Sequence, residues 1–199
     1  MTTVLADQEF NASQITLVSP EPTTTLIFSS PSTLNTTLSL HGVPLYKLST
    51  VDAAAERTTI SHSQTGDVLV TIRRRDVLPS TVVFSEKSQG GERKLKLKEW
   101  LREDVGSEGW RIDTPVGEFV WRTDEEVRLA LCPADNLSHP IAWATGDPFG
   151  LVLTRGTEQF REEIVASFII LEHRMRMEAK YAYLKERRFY RAKIATKFV

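Results

Sequence analysis

Residues 157–191 read TEQFREEIVASFIILEHRMRMEAKYAYLKERRFYR, and the middle of that stretch decides the kind of fold the rest of the chain must make. From Ile164 to Leu171, at 100° per residue, apolar side chains point in nearly every direction around a helix axis. Such a helix has no face to offer water. Leaving Ile164, Val165, Phe168, Ile169, Ile170 and Leu171 wet would cost on the order of 10 kcal/mol, at roughly 1.5–3 kcal/mol each. The preceding chain must therefore wrap around this core helix. Its start is expected near 157, with Thr157 as N-cap and Glu158, Glu162 and Glu163 at the positive end of the macrodipole. Past Leu171 the pattern turns polar, with Glu172 and Arg176, then Arg174 and Glu178, at i,i+4 spacing, and only a weak stripe of Met175, Ala179, Ala182 and Tyr183. A helix from Thr157 to Arg191 would be about 50 Å long, more than twice the ~20 Å of a typical strand, so its second half is expected to emerge from the body.

Ahead of the helix lie twelve short segments rich in β-branched and aromatic residues, at 25–29, 36–40, 45–50, 58–63, 68–74, 81–84, 93–98, 110–113, 118–122, 127–132, 141–144 and 151–154. Turn formers separate them, among them His41-Gly42, Gln64-Thr65-Gly66-Asp67 and Gly146-Asp147-Pro148. No second long helical pattern intervenes, which excludes parallel crossover units and the nucleotide folds built on them. The expectation is a mainly β protein: a closed antiparallel barrel of about twelve strands around the hydrophobic C-terminal helix. Lys98 to Arg102 is read as one helical turn at a strand end. Residues 1–24, rich in Ser, Thr and Pro, hold too few large apolar residues to offset ordering entropy and are expected to be a disordered leader. The barrel would then occupy 25–176 and a protruding basic helical tail 177–199.

The formal charge of the 199-residue chain is -1, but it is unevenly placed. Beyond His173 nine basic residues face only Glu178 and Glu186, so the tail is +7 and the rest of the chain -8. Such an asymmetry attracts anionic partners locally. Cys132 is the only cysteine, which rules out an intrachain disulfide and a thiolate metal cluster built by this chain alone. The start of the chain has no basic and apolar leader pattern, and no apolar run approaches the ~18–20 residues that span a bilayer. An intracellular, cytoplasmic protein is expected, peripheral to a membrane at most and not transmembrane.

No catalytic signature is found. His41, His62, His139 and His173 have no metal-ligand spacing; no G-x-S-x-G elbow occurs; Cys132 sits in an apolar strand; Gly90-Gly91 is a hairpin turn rather than a phosphate loop. No catalytic residue, metal or cofactor is assigned. Candidate anion- or lipid-binding residues are Arg73, Arg74 and Arg75 at a strand end, Lys94, Lys96 and Lys98 on one strand face, and Arg187, Arg188 and Arg191 in the tail. Cations interleaved with Tyr181, Tyr183, Phe189 and Tyr190 suit an anionic membrane surface. A protein partner for the protruding helix is the second reading and nucleic acid the last; the plain alternative for each set is a solvated face.

The layout resembles the tubby C-terminal-like fold shared by tubby, LURP-one-related and phospholipid scramblase-like proteins. More closely it resembles an uncharacterised fungal family, a domain of unknown function (number 6593). The residues carrying this are Thr25 to Ser29, Asn35 to Leu38, Tyr46 to Thr50, Leu97-Lys98-Glu99-Trp100-Leu101, Phe119-Val120-Trp121 and the Ile164 to Leu171 run followed by Glu172 and basic residues. The resemblance covers roughly 25–176. It implies a closed barrel around a helix and, through the tubby-like group, phosphoinositide or membrane association by basic surface residues. It implies no reaction.

Overall fold

The computed structural model describes residues 23–51, 56–75, 77–86, 91–104, 106 and 109–195, with side chains through Arg187. The expected leader therefore lies outside the described residues, except that Thr23 and Thr24 already belong to the first strand. Six strands run in sequence: β1 (Thr23–Phe28), β2 (Thr36–Leu40), β3 (Val43–Thr50), β4 (Arg57–His62), β5 (Val68–Arg73) and β6 (Thr81–Glu86). After β7 (Gly91–Lys96) a single helical turn, α1 (Leu97–Trp100), leads into β8 (Leu101–Asp104). The rest of the sheet is β9 (Gly109–Thr114), β10 (Gly117–Asp124), β11 (Arg128–Pro133), β12 (Ala142–Thr145) and β13 (Gly150–Thr154). A 3-10 turn at Thr157–Phe160 then feeds the long helix α2 (Arg161–Ala195).

All thirteen strands form one antiparallel sheet in the order β7-β6-β5-β4-β3-β2-β1-β13-β12-β11-β10-β9-β8. Two meanders therefore meet where β1 pairs with β13, from Thr23 opposite Thr154 to Ile27 opposite Gly150. The twelve expected strands are all present, and β8 is the thirteenth. The hydrogen-bonded ladder is not closed: β7 and β8 are its two ends and do not pair with each other. Strand directions alternate without exception along both meanders, so β7 and β8 run the same way and α1 interrupts what would otherwise be one continuous strand. The Trp100 side chain sits inside this seam. It packs against Phe84 of β6 at 5.3 Å between ring centroids and donates its indole N–H to the Asp113 carbonyl oxygen of β9 (3.0 Å). Close strand crossing also constrains Gly109, where a Cβ would lie 2.2 Å from the Trp121 carbonyl oxygen.

The sheet curls around α2. Ten consecutive residues, Glu163 to Glu172, are buried, and at 100° per residue they pass around the helix axis more than twice, so every side is covered. Ile164, Val165, Phe168, Ile169, Ile170 and Leu171 are all in the core, as their apolarity requires. Strands from both meanders reach the helix. Phe168 meets Phe28 of β1 at 5.9 Å and Trp121 of β10 at 6.0 Å between centroids. Trp121 donates its indole N–H to Ser167 Oγ (2.8 Å), whose hydroxyl donates on to the Glu163 carbonyl oxygen (2.8 Å). A serine is thus tolerated in an otherwise apolar run because both its hydrogen-bonding roles are filled.

The start of the helix differs from the expectation. Thr157 does not cap it: its hydroxyl donates backward to the Thr154 carbonyl oxygen (2.8 Å), tying the turn to β13. Gly156, at φ 94°, supplies the left-handed residue that redirects the chain, and Glu158 accepts the Gly156 N–H (2.8 Å). Backbone N–H groups, that of Glu158 itself and then Gly156, hold the Glu158 carboxyl below its ordinary value. Nearby, Arg93 of β7 donates to buried Glu163 (2.5 Å), yet burial pushes that carboxyl up more than the guanidinium pulls it down.

Candidate anion-binding surface where the helix leaves the sheet

Contacts along α2 fix which end of the sheet is which. Arg93, early in β7, meets Glu163 near the helix start, whereas Glu103 of β8 meets Arg174 (2.7 Å) and the Pro31 carbonyl oxygen beyond β1 accepts from Arg176. The loops after β1, β3 and β5 therefore gather where α2 leaves the sheet. From Glu178 to Arg187 every residue is exposed.

At this end the β5–β6 loop carries two apolar residues in solvent, Val77 (95% exposed) and Leu78 (57%). Beside them Arg75, Pro79, Ser80, Lys96, Lys98 and Glu99 complete the walls of a cleft of about 420 Å³. Arg75 and Ser80 also border a neighbouring cleft of about 340 Å³, shared with His173, Arg174, Met177 and Tyr181 of α2. Loop, α1 and emerging helix thus form one continuous face. Lys96 is held by Glu99 (2.7 Å), but both are mostly exposed, so the pair is weak. Burial, then the charges of Arg74 and Arg176, keep His173 below its usual value.

The structure sorts the sequence candidates. Arg75, Lys96 and Lys98 come together on this face. Lys94 is exposed on β7, opposite Val83, and does not border the cleft. Lys98 was expected on the same strand face as Lys94 and Lys96 but belongs to α1, where the strand breaks. Arg73 lies within β5 opposite Arg57 and Thr81, with its Nε buried. Arg74 turns inward: its Nη1 donates to Thr58 Oγ1 (3.2 Å), and burial lowers its pKa. Arg73 is thereby built into the sheet end, while Arg74, bonded inward to Thr58, still borders the cleft that Arg75 shares with α2. Arg187 is exposed on α2, while the side chains of Arg188 and Arg191 lie outside the described residues. Sequence reading missed Val77 and Leu78, although an apolar pair between a basic run and Pro79 was a usable signal for an exposed tip.

Among the described residues no cluster of three His, Cys, Asp or Glu side chains could hold a metal ion, and no helix is long and apolar enough to cross a membrane. Cys132 is buried, and burial pushes its thiol up, away from a nucleophilic thiolate.

Residues 31–177 match the family of unknown function DUF6593. The chain belongs to that family. Neither the curated proteins nor the solved structures provide a match. The DUF6593 region takes in β2 through β13 and the enclosed part of α2, including the face around Arg75, and stops at Met177, where the helix becomes fully exposed.

Proposed function

We propose that this DUF6593 protein is a non-enzymatic module that docks on an anionic membrane surface, with phospholipid or phosphoinositide headgroups as its ligands. The observation that supports this reading is the exposed apolar tip, Val77 and Leu78, set beside the basic rim of Arg75, Lys96 and Lys98. Each cation near an anionic surface contributes about 1 kcal/mol. Sinking the two apolar side chains into the acyl boundary adds at most roughly 1.5–3 kcal/mol apiece. Neither contribution suffices alone, and together they give a reversible, salt-sensitive attachment. In the same reading the sheet is a tubby-like barrel: β7 and β8 act as one strand split by α1, leaving twelve strands around α2. The module works at the cytoplasmic leaflet, which carries the anionic lipid.

Co-sedimentation tests this. The wild type should pellet with phosphatidylserine-containing vesicles and not with phosphatidylcholine alone, and added salt should release it. Changing Arg75 and Lys98 together to Glu should weaken binding by more than about tenfold, and Val77→Asp should weaken it further. A wild type that stays in the supernatant with anionic vesicles at low salt removes the proposal. The second reading, a protein adaptor, draws on Tyr181, Tyr183 and Leu184, which stand exposed on α2. Under that reading vesicles are ignored and Leu184→Asp abolishes capture of a protein partner that the wild type retains.

A further inference from the structure

β7 is one of the two ends of the ladder: β6 pairs with it on one side, and among the described residues no strand pairs with it on the other. β9 flanks β8, but its pairing stops at Leu101 opposite Ile112, before β7 is reached. The backbone of β7 fixes what the open side presents. Leu97 N–H donates to the Ser80 carbonyl oxygen (2.8 Å), so in the antiparallel register the odd-numbered residues bond toward β6, and Glu92, Lys94 and Lys96 direct their N–H and C=O groups outward. An open edge of this length is a template for one more strand unless something covers it. Lys94 and Lys96 stand exposed on its outer face, while Arg93 and Leu95 lie half-buried on the inner one. Beside Arg93, another cleft of about 340 Å³ opens between Leu69, Phe84 and Pro115.

The chain itself carries a segment of matching chemistry. Residues 1–22 hold Asp7, Glu9 and Glu21 and no Lys or Arg. As a strand, this segment would put Asp7 and Glu9 on one face, at the same spacing of two as Lys94 and Lys96, and Ala6, Gln8 and Phe10 on the other. Its reach is sufficient. β1 begins at Thr23 opposite Thr154, at the same end of the sheet as the Arg93–Glu163 pair. β7 lies six strand spacings from β1, about 29 Å at ~4.8 Å each, and the twelve residues 11–22 can extend to about 40 Å. A segment arriving from that end runs antiparallel to β7, in keeping with every other pairing in the sheet.

We propose that residues 5–10 of this chain add to the open edge of β7 as an antiparallel strand, with Glu9 opposite Lys94, Asp7 opposite Lys96 and the Phe10 ring in the cleft beside Arg93. Lysines on an edge serve in many sheets only to repel a further strand; here they meet carboxylates at their own spacing. Lys94 does not border the cleft assigned to membrane docking, so the pairing is tested there independently of that reading.

Residue-resolved amide exchange on the full chain tests this at the outward N–H groups of Lys94 and Lys96. In the wild type both should exchange at least about tenfold more slowly than in a free peptide. Glu9→Lys replaces an attractive cross-strand pair by a repulsive one and should speed Lys94 exchange about fivefold. Combining Glu9→Lys with Lys94→Glu should restore the slow rate at position 94, and Phe10→Ala should raise it. Slow exchange of Ile164 to Leu171 in every variant separates loss of the added strand from unfolding. Tenfold dilution should leave the wild-type rates unchanged, as pairing within one chain requires. Free-peptide rates at Lys94 and Lys96, no response to Glu9→Lys, no restoration by Lys94→Glu, or protection lost on dilution, the mark of a segment lent by a second copy, would each overturn the proposal.

Discussion

The two halves of α2 are one continuous helix in two different solvents. From Glu163 to Glu172 it is surrounded by strands from both meanders; from Glu178 to Arg187 it is surrounded by water. Between the buried carboxylates Glu163 and Glu172 the enclosed half is Ile, Val, Ala, Phe and Leu with one serine, whose hydroxyl is used in both roles by Trp121 and Glu163. The exposed half is charged, with Lys180, Lys185 and Arg187 beside Tyr181, Tyr183 and Leu184. The helix backbone is therefore not what distinguishes support from display. The first half holds the sheet to its curvature, and the described residues of the second half stand exposed beyond it.

That contrast can be broken by placing one charge in each half. Phe168→Asp, or equally Ile169→Asp, would bury a carboxylate among Phe28, Trp121 and Phe149 with no partner, and a loss above about 4 kcal/mol should leave the chain without a cooperative thermal melt. Leu184→Asp, on the same helix but 42% exposed, should change stability by no more than about 0.5 kcal/mol. A Phe168→Asp protein that melts like the wild type would mean the sheet does not surround the helix.

A smaller effect sharpens the picture at the start of α2. Burial first, and then the charge of Glu162, push the Tyr46 phenol up to about 12. The native state thus keeps its proton where the unfolded chain, near the ordinary value of about 10, has lost it. The contribution is complete below pH ~10 and falls away as pH rises toward ~12, by at most about 3 kcal/mol. Urea unfolding across that range should show the decline in the wild type and a shallower one in Tyr46→Phe. Identical slopes would place Tyr46 in solvent rather than against the helix.

Much of this was legible in the chain because the relevant signals are local. An apolar run with no polar face announces an enclosed helix, and alternation such as Thr58, Ile60 inward and Thr59, Ser61 outward announces strands. β8 escaped notice because Leu-Arg-Glu-Asp carries one apolar residue in four; it is a strand only because β9 supplies the register, Leu101 opposite Ile112. The missed cap at Thr157 has the same origin, since the hydroxyl found a carbonyl of β13 that no local pattern predicts. Basic residues were the least readable. Arg73, Arg74 and Arg75 are equivalent in sequence, yet the sheet end takes in Arg73, ties Arg74 to Thr58 at the edge of a cleft and leaves Arg75 exposed.

Amide hydrogen exchange resolved along α2 tests the enclosure most directly. Protection of Ile164 to Leu171 should approach the free energy of global unfolding, while Glu178 to Arg187 exchanges orders of magnitude faster through local opening. Equal, shallow protection along the whole helix would contradict it.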